Sequence, residues 1–335
     1  MTIYSKDLDV WKEIKIPYIN EFDVWIKPKK VFVNDEDVWK VVWEILNTDN
    51  SRGIFGGGQY IYDTIDYITI STIGNAIDFG DLTVARAGLS STSNGINDRG
   101  IFGGGYNPKF NTIDYITIST ISNATDFGDL TTNKGDISAT PNGTNDRGVF
   151  GGGDNPGINT IDYITISTIG NAIDFGDLTV GSYALAATSN GTNNRGVFGG
   201  GNNPSINTID YITISTTGNA ADFGDLTVAR SYVSSTSNGT NNRGVFAGGY
   251  TTINTIDYIT ISTTGNATDF GDLTIGRYGV GATSNGTNDR GVFGGGSDSS
   301  NLSIIDYIII SSTGNATDFG DLTLDRHAVA ATSNA

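Results

Sequence analysis

Residues 254–274 read "NTIDYITISTTGNATDFGDLT", and residues 207–227 read "NTIDYITISTTGNAADFGDLT". A single difference, Thr268 against Ala221, separates them. Copying this close decides the fold, because self-similarity at a fixed period is the signature of repeat architectures. Outward from this stretch, "RG[IV]F" begins at Arg52, Arg99, Arg147, Arg195, Arg243 and Arg290, at intervals of 47 or 48 residues. The aspartate of "IDY" recurs as Asp66, Asp114, Asp162, Asp210, Asp257 and Asp306. "DFGDL" starts at Asp78, Asp126, Asp174, Asp222, Asp269 and Asp318. Six repeats therefore fill residues 51–335.

Each repeat reads as four short strands. "RGVFGG" is apolar and closes on glycines. "TIDYITIST" is rich in β-branched and aromatic residues, which suit a pleated surface. "ATDFGDLT" is a poorer third candidate. The fourth is built of small residues, as in "SYALAATSN". "GN" before the third and "SNGTN" after the fourth are turn signals. No 3.6-residue apolar period persists, so helix is not expected. Four strands in each repeat predict an all-β, six-bladed propeller. The repeats open on the second strand of a blade, and "HAVAATS" near the C-terminus has no successor to pair with. That segment is expected to lie beside Arg52–Gly58, closing the ring and removing a sheet edge. Its small residues suit the innermost position, where the blades converge. The competing arrangement is an open solenoid with two coils per repeat.

Composition bounds the function. The chain has 335 residues, 46 of them Gly, with 16 % charged residues and a formal net charge of −17. A hydrophobic content of 37 % suits short strands and tight turns better than one ordinary core. There is no Cys, which excludes a disulfide framework and a thiolate metal site. "MTIYSKDLDVWKEIKI" lacks the basic start and apolar core of a secretory signal. No apolar run is long enough to span a bilayer, so no membrane insertion is expected. Phosphates would repel so acidic a chain, so nucleic acid is not an expected partner.

The layout "RGVFGGG…IDYITIS…DFGDLTVAR" places glycines after an apolar strand, then a Tyr-containing strand, a weaker strand, and an Arg before a small-residue strand. It resembles the kelch repeat, in all six copies. Phe79, Phe127, Phe175, Phe223, Phe270 and Phe319 stand where kelch outer strands carry Trp, and no "WD" dipeptide occurs. The nearly verbatim "TIDYITI" and "GNATDFGDLT" are similar to kelch-like arrays in bacteriophage virion structural proteins, marine ones especially. That resemblance implies a non-enzymatic protein of the particle surface, of tail or fibre type, present in multiple copies.

Residues 1–50 follow a different rhythm. "DVW" starts at Asp9, Asp23 and Asp37, so Trp11, Trp25 and Trp39 are 14 apart, and Trp43 follows. Each unit reads as strand, turn, strand, with "NEFD" and "NDED" as turns. The last unit could also form a helix, since Val38, Val41, Val42 and Ile45 fall at helical spacing; repeat consistency favours strands. Fifty residues bury several tryptophans poorly. Trp11, Trp25, Trp39 and Trp43 are therefore expected to dock other virion proteins, and the competing role is a cap on the propeller.

Catalysis is not expected, and no cofactor or metal is called for. His327 is the only imidazole, so the copper site of galactose oxidase, a kelch-type enzyme, cannot be built, and a Ser-His-Asp triad would rest on His327 alone. Paired carboxylates can cleave glycosides, but the pair Asp78 and Asp81 recurs in every repeat. Such repetition points to side-chain-to-backbone bonding in a Gly-containing turn, with calcium ligation as the alternative. The loops between the glycines and "IDY" vary most: "QYIYDT", "YNPKFNT", "DNPGINT", "NNPSINT", "YTTINT" and "SDSSNLSI". In kelch geometry they share a face with the loops before the inner strand. Tyr60, Tyr62, Tyr106, Phe110 and Tyr250 are expected to offer a host surface glycan an aromatic surface there. The position before the inner strand is Arg86, Lys134, Ser182, Arg230, Arg277 and Arg326. Arg86, Arg230, Arg277 and Arg326 are candidates for an axial anion collar that would bind an acidic sugar. The preferred reading pairs each cation with an aspartate of a neighbouring blade. Beyond host attachment, the competing functions are decoration of a capsid or tail without receptor binding, and a cellular scaffold for protein partners.

Overall fold

The computed structural model describes strands within residues 3–44, and the backbone and side chains of residues 52–59, 62–93, 97–106, 108–140, 146–189, 194–202, 204–237, 242–284 and 289–333. Met1–Asn50 and Ser51–Ala335 form separate compact units. In the first, Ile3–Asp7 pairs with Val10–Ile14, Ile19–Glu21 with Val24–Ile26, and Lys30–Asp35 with Val38–Glu44, all antiparallel. Val10, Val24 and Val38 of the "DVW" units each open the second strand of a pair, and Val38–Glu44 is a strand rather than a helix. Trp11, Trp25, Trp39 and Trp43 all lie on these second strands.

The second unit is a ring of six sheets, each of four antiparallel strands. Blade 1 takes Ala330–Ser333, Arg52–Gly56, Thr64–Thr69 and Ile77–Asp81, from the axis outward. Blades 2 to 6 begin with the inner strands Ser90–Thr92, Ser138–Thr140, Ala186–Thr188, Ser234–Thr236 and Gly281–Ser284. Among the described residues there is no helix. The C-terminal strand closes the circle as expected, with Ala330 opposite Gly56 and Thr332 opposite Ile54. A closed ring leaves no inner edge free for pairing.

Packing explains the repetition. Six hydrophobic cores lie between the six pairs of adjacent blades. In the core that closes the ring, Phe55, Ile68 and Ile70 of blade 1 meet Val292, Ile305 and Phe319 of blade 6. The strand "RGVFG" is buried from its second residue onward, so it must be apolar or Gly throughout. A Cβ on Gly103 would sit 2.7 Å from Phe150 of the next blade. The Arg of this motif links blades as well. Arg52 lies 4.7 Å over the Tyr67 ring and donates to Ile118 O at 2.8 Å, one blade on. Tyr67 in turn meets Phe79 edge-on at 6.1 Å. Arg, Tyr and Phe thus form one stack from three motifs, and a partly exposed cation–π contact of this kind contributes about 1 kcal/mol.

The buried aspartate of "IDY" is a second link. A bulge between Ile113 and Asp114 turns that carboxylate inward. Thr83 donates to Asp114 through N–H and Oγ1, at 3.2 and 2.5 Å, and Arg86 pairs with it at 2.9 Å. Lys134–Asp162, Arg230–Asp257, Arg277–Asp306 and Arg326–Asp66 repeat the pair at 2.8 to 2.9 Å, all wholly buried. This corrects the anion collar. Arg86, Arg230, Arg277 and Arg326 face a carboxylate of the next repeat inside the protein, so no ligand meets them at the surface. A second correction concerns "DFGD". Asp81 links blades through its backbone, accepting from Ala124 N at 2.7 Å and donating to Asn123 Oδ1 at 3.1 Å, rather than through its carboxylate. Gly80 is required there, because at φ 145° a Cβ would meet Ser122 O of the next blade at 2.6 Å.

Candidate functional site

The candidate site lies where the axis meets the varied loops. Gly88, Asp136, Ala184, Tyr232, Gly279 and Ala328 hold equivalent positions just before the inner strands, each with φ between 52° and 64°. Their backbones form a closed circle of hydrogen bonds. Asp136 N donates to Gly88 O, Ala184 N to Asp136 O, Tyr232 N to Ala184 O, Gly279 N to Tyr232 O, Ala328 N to Gly279 O, and Gly88 N to Ala328 O. Consecutive donors and acceptors satisfy each other, which makes a rigid rim. The varied loops are tied to it. Tyr106 N donates to Ala87 O at 2.8 Å, Tyr250 N to Ser231 O at 2.8 Å, and Ser297 N to Tyr278 O at 3.0 Å. The two sets of loops therefore share one face.

Side chains on this rim are unequal, and aromatic residues gather on one side. The Tyr250 and Tyr278 ring centroids are 5.3 Å apart, Tyr232 and Tyr278 5.9 Å, Tyr232 and Tyr250 6.2 Å, and Tyr278 and His327 5.4 Å. His327 Nδ1 is 2.5 Å from Asn301 Oδ1, and burial lowers its pKa, which favours the neutral ring. Tyr232 OH donates to Asp136 Oδ2 at 3.3 Å. Burial pushes the Asp136 carboxyl up to about 6; the Tyr232 hydrogen bond opposes this and Asp154 adds to it. Burial and Asp136 raise the Tyr106 and Tyr232 phenols in turn. Asp136 and the Tyr106 ring both crowd Gly88: a Cβ there would meet Asp136 Oδ1 at 2.5 Å and the Tyr106 ring at 2.6 Å. Lys109 pairs with Asp154 at 3.2 Å beside them, and Asn202 Nδ2 donates to Tyr183 OH at 2.8 Å.

The residues expected at the ligand face divide. Tyr106 and Tyr250 are at the mouth, and Tyr250 is 52 % exposed. Tyr60 lies outside the described residues. Tyr62 and Phe110 are loop anchors. The Tyr62 carbonyl accepts from Arg86 N at 3.2 Å and the Phe110 carbonyl from Lys134 N at 3.1 Å, as the Ile158 carbonyl does from Ser182 N. Both are half-buried in a position that other repeats fill with aliphatic residues. Sequence reading passed over Tyr183, Tyr232, Tyr278 and Asp136. The available signal was large or charged residues in slots that other copies fill with Ala or Gly. Half-exposed rings, phenolic donors and a carboxyl titrating near neutrality suit stacking on, and hydrogen bonding to, a polar ligand with apolar faces. No model of a known protein family matches this chain, and no curated protein matches it.

Proposed function

We propose that this chain is a non-enzymatic recognition protein whose axial mouth takes a glycan. The observation that carries the reading is the cluster of Tyr232, Tyr250, Tyr278 and His327 beside Asp136, set on a rim of otherwise near-identical repeats. A symmetric scaffold needs no such asymmetry, whereas a sugar needs rings to stack on and donors to its hydroxyls. The kelch resemblance of the repeats supports a binding scaffold. The likeness of "TIDYITI" and "GNATDFGDLT" to phage arrays adds the setting: a virion surface, with residues 1–50 holding the propeller to the particle. Titration of the full chain against host surface polysaccharide tests the mouth. Binding that survives Tyr250→Ala combined with Tyr278→Ala removes the reading. Deleting residues 1–50 tests the docking, and particles that still incorporate the truncated chain remove that part.

Decoration without a receptor has an observation of its own. Ile73, Ile121 and Ile169 are exposed at the outer hairpins of blades 1 to 3, where blades 4 to 6 carry Thr217, Thr264 and Thr313. Exposed aliphatic side chains on one half of the rim favour a protein neighbour.

A further inference from the structure

Blade 4 breaks the buried ion-pair pattern. In the other five repeats the "IDY" aspartate faces a lysine or arginine at 2.8 to 2.9 Å. Opposite Asp210 that position is Ser182. The backbone around it is unchanged: Ser182 N donates to Ile158 O and its carbonyl accepts from Gly153 N, as Lys134 does with Phe110 O and Gly105 N. Ser182 therefore points the same way as the cations but ends in a hydroxyl. Among the described residues no cation reaches Asp210, which is 5 % exposed. Thr179 donates to it through Oγ1 at 2.6 Å and N–H at 2.9 Å. Ser182 Oγ has no hydrogen-bond partner, although the residue is 1 % exposed.

The missing side chain leaves a cavity of about 10 Å³, lined by Ser182, Asp210, Phe198, Gly200 and Thr208 among others. That is room for roughly one water-sized occupant. Elsewhere the guanidinium at this place also satisfies backbone carbonyls. Arg230 donates to Phe246 O and Thr255 O, and Arg326 to Phe55 O and Thr64 O. Phe198 and Thr208 are the counterparts in blade 4. The cavity thus keeps the Asp210 carboxylate and the Ser182 hydroxyl beside Phe198 and Thr208, between aliphatic walls from Leu178, Val180, Leu185 and Ile206, with no cation from the chain.

We propose that this cavity binds a monovalent cation of ammonium or potassium size. A buried carboxylate without a counter-charge is costly, and water would satisfy Ser182 but not that charge. All the available ligands are oxygens and only one carries charge, which matches a singly charged hard cation or ammonium rather than a divalent ion. Burial raises the Asp210 carboxyl, so the cation is taken up only at a pH where that acid is ionised.

Thermal unfolding of the full chain at alkaline pH tests this, in potassium, ammonium or tetramethylammonium chloride at equal ionic strength. Tetramethylammonium is too bulky for the cavity and controls for general salt effects. At ion concentrations tenfold above the dissociation constant, the wild type is expected to melt about 2 °C higher in potassium or ammonium than in tetramethylammonium. Ser182→Lys copies the Lys134–Asp162 pair and is expected to abolish that difference while melting higher than the wild type in tetramethylammonium. Asp210→Asn is expected to abolish it too, and it decides the matter if the lysine variant does not fold. Equal melting of the wild type in all three salts overturns the site, as does a difference that persists in either variant.

Discussion

Arg277 is wholly buried against Asp306, whereas the next residue, Tyr278, is half-buried among Tyr232, Tyr250 and His327 at the mouth. At the equivalent pair both residues are buried, Arg326 against Asp66 and His327 beside Tyr278. One position faces the seam between repeats, where the partner is always an aspartate, so five of six copies keep a cation. Its neighbour has no such fixed partner, and the copies hold Ala87, Gly135, Tyr183, Ser231, Tyr278 and His327. The frame is uniform because each repeat must fit an identical neighbour. The ligand we propose for the mouth would not share the ring's symmetry, which accounts for the variation there.

The frame can be broken most severely at its closure. Removing residues 330–335 strips the inner strand from Arg52–Gly56 and opens the core around Phe55. A loss of roughly 5 kcal/mol or outright unfolding is expected in denaturant melts, since a strand and a core seam go together. Unchanged melting would mean that the tail does not close the ring. Next comes Arg326→Met, which leaves Asp66 buried without its counter-charge. Stability should fall by about 3–5 kcal/mol, and Asp66→Asn in the same chain should recover part of it. If Arg326→Met costs no more than an exposed substitution, the seam and the mouth do not differ as described.

Asp136 belongs to both regions, since its backbone is in the rim and its carboxyl is in the mouth. Its folded pKa of about 6 lies above the ordinary carboxyl value. The folded state therefore binds the proton more tightly than the unfolded chain. The favourable contribution is present below about pH 4 and is lost as pH rises to about 6. Asp136→Asn removes this term, so the stability difference between wild type and variant should change by about 1–2 kcal/mol over that window, allowing for solvent at the mouth. Parallel pH profiles would place Asp136 in ordinary solvent.

Much of the frame was legible in the sequence, because its motifs obey local rules. Period, glycines and β-branched runs predict the blades, and the unpaired "HAVAATS" predicts the closure. The roles of individual polar residues were less legible. "DFGD" and "IDY" each carry an aspartate in every repeat, and only the bulge before Asp66 and its equivalents shows which carboxylate turns inward. The mouth was hardest. Tyr106 and Tyr250 stood out in variable loops, but Tyr232 and Asp136 lie next to the inner strand and become neighbours only when distant repeats converge on the axis. That contact spans 96 residues, beyond any local pattern.

The gentlest change in stability should come from Tyr278→Ala, and it divides the two regions most sharply. Tyr278 touches Tyr232, Tyr250 and His327, but these contacts are edge-on and partly solvated. Its backbone bonds with Ser297 need no side chain and survive the change. Loss of such ring contacts costs about 1 kcal/mol or less, well under the cost expected one residue earlier for Arg277→Met. Binding at the mouth should behave in the opposite way, with a large loss of affinity for the polysaccharide from Tyr278→Ala. A stability loss as large as that of the arginine variant would make the aromatic cluster part of the frame, and its asymmetry would then need a structural cause rather than a ligand.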